Sequence, residues 1–336
     1  MRPLIAILTA SAQLAWVAWV GATAIAAPTV IAPLHGSTAV EAYGDVAVWS
    51  DYDAASRSWH VVVRRNGKIT TPPIPAAAKA IEVDVGPGPS GSPMLAYVSC
   101  ADGCHVVTSG VDGSAPHTIR GSQGASHPTI CGQRVAWVSG RAKVMISRLD
   151  GTERRVLGGA PHRKCYYAPP PAEPPPLVCA PPQGPSVEAL ALNRGQLALV
   201  DTFDLNDGIG ANGTTTEVRT EAVTGGPQRL IALLGVGEGD ESWLGPSWSG
   251  GKLYFYEDSM GAGFVAYRFD PAHNAYASAR AHTYLSGFSV VGERAYEATA
   301  PGEPGRVCEE EGLAPCVVRL SQRLAFKPAR APVHVP

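Results

Sequence analysis

One pattern recurs about six times along this chain of 336 residues, and few folds can accommodate it. It is clearest at Pro128-Thr-Ile-Cys-Gly-Gln-Arg-Val-Ala-Trp-Val-Ser139 and again at Pro246-Ser-Trp-Ser-Gly-Gly-Lys-Leu-Tyr-Phe255. Each copy reads as a short strand, a tight glycine turn and a second strand rich in aromatic and β-branched residues. The second strands line up as Val46–Ser50, Leu95–Ser99, Val135–Ser139, Leu197–Asp201, Leu253–Glu257 and Ala295–Thr299. Third strands follow at Trp59–Val63, Cys104–Thr108, Lys143–Ser147, Glu217–Glu221, Phe264–Arg268 and Pro315–Arg319. Turns into a fourth strand carry Asn66-Gly67, Asp112-Gly113, Asp150-Gly151 and Gly225-Gly226, dipeptides that accept positive φ. His273-Asn274 and Ser321-Gln322 take that place in the last two copies.

Four short strands per copy, at a period of roughly fifty residues, predict the blades of a β-propeller. Several strands are near-continuous apolar runs, as expected where both faces of a blade pack on neighbours. A lone blade cannot bury those faces, so the copies must stack and close. The expected fold is all-β: one six-bladed ring of four-stranded antiparallel blades from about Ser37 to about Phe326, closed by pairing of the segments near Val30 and Phe326. An irregular β-sandwich is the alternative.

The same residues resemble the WD40-like (PD40) repeats of the TolB family. Pro246, Trp248, Ser249 and Gly250 or Gly251 match that family's Pro-x-Trp-Ser-Pro-Asp-Gly element, and Asp150-Gly151 matches its later turn. No copy contains Ser-Pro-Asp-Gly, and the amino-terminal α/β domain of full TolB has no counterpart here. The resemblance covers the propeller part and implies a binding platform, which is a statement about fold more than function.

Arg2 precedes an apolar stretch from Leu4 to Ala26, and Ala24-Ile25-Ala26 offers a small-residue cleavage site before Ala27. Residues 1–26 are therefore expected to be a signal peptide, with an uncleaved anchor as the alternative. Residues 27–336 form the single propeller domain, secreted or held in the cell envelope, with no membrane span in the mature chain. Formal net charge is only −2, which argues against nucleic acid as a partner.

Seven cysteines fit export. Cys100 and Cys104 flank a three-residue hairpin loop, Cys165 and Cys179 bracket a proline-rich segment, and Cys308 and Cys316 bracket the equivalent connection of the last copy. These three pairs are the expected disulfides, leaving Cys131 as the free thiol. No Cys-x-x-Cys exists and the histidines are scattered, so no metal site is expected from them.

In a four-stranded meander, the first-to-second and third-to-fourth turns share one face of the ring. Most of these are tight. The conspicuous insertions are of the other kind: Asp51 to Ser58, Gly158 to Ser186, Asp201 to Thr216, Asp258 to Gly263 and Gly302 to Pro315. Elaboration on one face of a rigid scaffold marks a binding surface. The same loops gather acidic residues, whereas Arg64, Arg65, Lys68, Arg134, Arg194, Lys252, Arg294 and Arg323 fall on the tight-turn face. The candidate ligand-binding residues are Asp51, Tyr52, Asp53, Tyr166, Tyr167, Asp204, Asn206, Asp207 and Asp258.

Asp201-Thr-Phe-Asp204-Leu-Asn206-Asp207 has oxygen ligands suited to calcium, but Phe203 and Leu205 fall on ligand positions of the usual loop. There is no Gly-x-Ser-x-Gly, no His-Glu-x-x-His and no phosphate-binding loop, so no catalytic residues or cofactor are assigned. The expected function is a secreted, non-catalytic, monomeric propeller binding a protein, peptide or cell-envelope glycan. The alternative is a secreted glycoside hydrolase or lyase whose carboxylates come from different blades.

Overall fold

The computed structural model describes residues 28–157, 165–167, 177–179, 186–206, 212–234, 242–259, 263–281, 285–299, 315–321 and 323–332. They form a six-bladed β-propeller, and no helix occurs among the described residues. Blade 1 comprises Val40–Tyr43, Val46–Asp53, Ser58–Arg65 and Lys68–Thr70. Blade 2 comprises Val83–Pro87, Pro93–Ser99, His105–Gly110 and His117–Thr118, and blade 3 Ala125–Cys131, Arg134–Ser139, Lys143–Arg148 and Arg155–Leu157. Blade 4 comprises Ser186–Leu192, Gln196–Asn206, Asn212–Ala222 and Arg229–Leu234, and blade 5 Ser242–Ser249, Lys252–Ser259, Gly263–Asp270 and Ala275–Ala281. Blade 6 contributes Gly287–Val291, Arg294–Thr299 and Val317–Leu320.

The first strands of adjacent blades pack on one another all the way round, so they line the axis. Two glycines permit that approach. A Cβ on Gly86 would lie 2.0 Å from the carbonyl oxygen of Ile130 on the next inner strand, and one on Gly287 would lie 2.4 Å from the amide of Val40. Away from the axis the seams are apolar. Val46, Val48, Trp59 and Val61 of blade 1 meet Val83, Val85, Leu95 and Tyr97 of blade 2. Ala47 and Trp49 face the other way, onto Tyr296, Ala298 and Val318 of blade 6.

That parity corrects the alignment read from sequence. In blade 3, Val135 and Trp137 face the preceding blade, so Ala47 and Trp49 are their counterparts, not Val46 and Val48. The two-residue turns Gly44-Asp45 and Gly132-Gln133 set this: Tyr43 pairs with Val46 as Cys131 pairs with Arg134. A slip of one residue sends every side chain of a strand to the opposite face.

Closure also differs from expectation. Thr29–Pro33 supplies the fourth strand of blade 6, pairing with Val317–Leu320. The segment after Phe326 does not join it. Lys327–Ala329 instead adds a fifth strand to blade 5, against Tyr276–Ser278. Phe326 packs against Tyr254 at 5.7 Å, with the Arg268 guanidinium 5.0 Å above its ring. The chain thus straps blade 6 to blade 5, and Leu233 of blade 4 donates its amide to the carbonyl of Pro332.

Candidate functional site

The second strands end on the loop-rich face, and blade 1 brings Asp51, Tyr52 and Asp53 together there. Alternation divides them. Tyr52 pairs across to Trp59, their rings 5.5 Å apart, on the side of blade 2. Asp51 and Asp53 lie on the opposite side, across from His60 and Ser58. Two histidines that the sequence did not single out complete the group. His35, from the connection leading into blade 1, donates Nδ1–H to Asp51, 3.1 Å from Oδ2, and its backbone amide donates to Oδ1 at 2.8 Å. Tyr52 adds its amide to the same oxygen at 3.0 Å. Asp51 is thereby held in place, and the other ring nitrogen of the half-exposed His35 faces away from it. Ser56 donates to Asp53 Oδ2 at 2.6 Å, and Ser58 Oγ lies 3.0 Å from His60 Nε2. The Ser56 hydroxyl, first, and the amide of Ala55 hold the Asp53 carboxyl below its ordinary pKa.

The other candidates do not converge on this point. Asp204 and Asn206 sit in the hairpin of blade 4, across the ring from blade 1, where Asp204 pairs with Thr214 and Asn206 with Asn212. The expected loop from Asp201 to Thr216 is in part a strand extension, with Gln196–Asn206 paired to Asn212–Ala222. Asp207 lies outside the described residues. Asp258 stands one residue before the end of the second strand of blade 5, paired with Phe264. Tyr166 and Tyr167 belong to a separate two-stranded ribbon, opposite Val178 and Leu177. The loop-rich face is also less uniformly acidic than its sequence implies, because Arg57, Arg141, Lys143 and Arg280 stand on it.

Cys100 and Cys104 are disulfide-bonded and Cys131 is a buried free thiol. The ribbon sets Cys165 directly opposite Cys179. Cys316 is disulfide-bonded too, while Cys308 lies outside the described residues.

Beside the axis, one register position on each inner strand forms a belt: Glu41, Asp84, Thr129, Ala191, Ser247 and Ser289. Four of these side chains accept a backbone amide from the next blade. Ile130 donates to Asp84 at 2.9 Å, Leu192 to Thr129 at 3.0 Å, Val290 to Ser247 at 3.0 Å and Ala42 to Ser289 at 3.0 Å. The belt stitches blade to blade. It also places two carboxylates side by side without a cation. Burial raises the Glu41 pKa well above the ordinary range, the charge of Asp84 adds to this, and a hydrogen bond with Ser289 opposes it. Burial pushes Asp84 up to about 6, against hydrogen bonds from Ile130 and Thr129. One layer toward the loop-rich mouth, the amide of His127 donates to Glu82 Oε2 at 2.5 Å, and Glu188 is exposed on the next blade.

Sequence reasoning missed the belt, although it left a trace. In blades 1, 3, 5 and 6 the belt residue stands three before the turn glycine: Glu41 and Gly44, Thr129 and Gly132, Ser247 and Gly250, Ser289 and Gly292. Among the described residues no group of three or more His, Cys, Asp or Glu side chains is arranged to hold a metal ion.

No protein-family model matches the chain, and no curated protein matches it by sequence. Solved structures do. TolB from Acinetobacter baumannii is similar at 12% identity and a TM-score of 0.48, over 86% of this chain and 67% of that one. An α-L-arabinanase from Penicillium chrysogenum, complexed with arabinobiose, gives 11% identity and a TM-score of 0.50 over 87% and 97%. A puromycin-hydrolyzing peptidase of Mycobacterium tuberculosis gives 14% and 0.46, and this chain spans only 53% of it. At such identities the likeness is one of fold.

Proposed function

We propose that this ring is an extracytoplasmic, non-catalytic module that binds a peptide, protein or cell-envelope glycan on its loop-rich face. The observation that supports this most is the hairpin of blade 4. Its two strands are each 11 residues long, against 6 for their counterparts in blade 3. The extra length lies on the loop-rich side and reaches roughly 16 Å beyond Asp201 at the usual rise per residue. Asp51, Asp53 and His35 give the same face directed acceptors and donors on blade 1. The apolar stretch from Leu4 to Ala26 and the disulfides support an extracytoplasmic setting.

A photo-crosslinking residue tests this in intact cells. Placed at Ser56 or Asn206 it is expected to capture a protein or glycan partner, whereas at Asn66 it captures neither. Replacing Asp51, Asp53, Asp204 and Asp207 by Asn should weaken capture, most at low salt. Partner adducts from Asn66 alone would sink the reading.

The runner-up, a glycoside hydrolase or lyase, draws on one specific observation: Glu41 and Asp84 come from different blades and interact beside the axis. A carboxyl kept protonated by burial is what a general acid needs. This reading requires release of reducing ends from an envelope polysaccharide by the native protein, and loss of that release in Asp84→Asn. No release by the native protein would remove it.

A further inference from the structure

We infer that the tight-turn face is the side this protein presents to a membrane, through contact with anionic phospholipid headgroups. The chain path is the first reason. Thr29 pairs with Leu320, the last residue of the third strand of blade 6, so the fold begins at the tight-turn end of that blade. Pro33, at the other end of the same strand, leads into the loop-rich connection that carries His35. In the sequence only Ala27 and Pro28 separate Thr29 from the apolar stretch ending at Ala26. Two residues span at most about 7 Å when extended, comparable to the ~5–8 Å depth of one headgroup layer. Whenever that stretch lies in a bilayer, as an uncleaved anchor or before the leader is removed, the tight-turn side of blade 6 is held at the lipid surface.

Charge is the second reason, and it is independent of the first. Around the point where the ring begins, Arg65 and Lys68 of blade 1 and Arg294 and Arg323 of blade 6 are exposed, and Arg330, also exposed, follows the strap on the outer edge of blade 5. Their carboxylate neighbours are Asp45, 3.4 Å from Arg65, Asp112 on the adjacent turn of blade 2, which feels the Arg65 charge, and Glu293, paired with Arg323. Lys68, Arg294 and Arg330 make no ion pair among the described residues. The sector is therefore net positive although the whole chain carries −2. Val30, next to Thr29, and Ile69, next to Lys68, are exposed aliphatic side chains in the same sector and add a shallow apolar contact to one that is chiefly electrostatic and salt-sensitive. Beside an inserted apolar segment, each cation near an anionic surface adds about 1 kcal/mol of attraction. This orientation leaves the loop-rich face pointing away from the lipid.

The test uses the full chain, in a Cys131→Ser background, reconstituted into phosphatidylcholine vesicles with or without ~30% phosphatidylglycerol. A fluorophore is attached at Asn66→Cys on the tight-turn face or at Ser56→Cys on the loop-rich face, and energy transfer to a headgroup-labelled lipid is read. Transfer is expected to be greater from position 66, to rise with phosphatidylglycerol, and to lose that rise at about 0.5 M salt. Chain processed to remove the leader should sediment with the anionic vesicles alone. Arg65→Glu, Lys68→Glu, Arg294→Glu and Arg323→Glu combined should weaken that partition by more than ~10-fold at an unchanged unfolding midpoint. If that variant does not fold, Lys68→Gln with Arg294→Gln, which breaks no ion pair, must show the same direction. Equal transfer from the two positions would overturn the proposal. Transfer that favours position 66 but ignores lipid charge and salt would overturn the headgroup contact as well.

Discussion

Glu297 and Glu41 are glutamates on neighbouring blades, 6 and 1, yet one faces an arginine and the other a second carboxylate. Glu297 lies across the strand pair from Arg319, which donates Nε–H to it at 2.6 Å. Burial still raises its pKa, and the guanidinium pulls the other way. Glu41 and its neighbour Asp84 have only hydrogen bonds to oppose burial, so both sit higher than an ordinary carboxylate. The difference is positional. A residue inside a blade can be matched from the adjacent strand of the same sheet, whereas an inner strand faces the axis and finds its partner only on another blade. Paired charge therefore stabilises the blades, while carboxyl and hydroxyl groups that accept backbone amides join them.

The largest effect should come from breaking the pair. Arg319→Met leaves Glu297 buried without a cation and should cost about 3 kcal/mol, as such orphaned charges do. Chemical denaturation reads this directly, and Glu297→Leu added to it should recover most of the loss. A double variant no more stable than Arg319→Met would show that the pair is incidental.

Asp84 should act in the opposite sense. Its folded pKa, about 6, lies above the unfolded value near 3.8, so its contribution is fully present at low pH and is lost as pH rises through that window. The change amounts to about 2 kcal/mol once the solvent access of a channel-lining group is allowed for. Asp84→Asn should flatten the stability profile between about pH 4 and pH 6.5, where the native protein declines. Urea midpoints across that range decide it, and parallel profiles for the two proteins would contradict the electrostatics described for the belt.

Glu41→Gln should be the mildest change, about 1 kcal/mol or less at neutral pH. An amide keeps the size of a carboxyl whose ionisation burial already disfavours, and the hydrogen bond with Ser289 can be retained. A loss as large as that of Arg319→Met would mean that Glu41 is charged, and would erase the contrast between the axis and the blades.

What the chain determines by itself is local. Alternation of side chains, glycine turns and the apolar runs of the second strands are properties of ten or so neighbouring residues, and six blades with one elaborated face follow from them. The position of Cys100 and Cys104 across a three-residue loop is legible for the same reason. Other features depend on contacts between segments far apart in sequence. Asp51 reads as an exposed acid until His35, 16 residues away, is seen to hold it. Glu41 and Asp84 become neighbours because blades 1 and 2 abut at the axis. Thr29–Pro33 finds its partner almost 290 residues downstream. Short-range periodicity carries no information about such distant pairings. They are decided when the ring closes, because an incomplete blade 6 would leave the edge of Val317–Leu320 unpaired and the seam with blade 1 exposed.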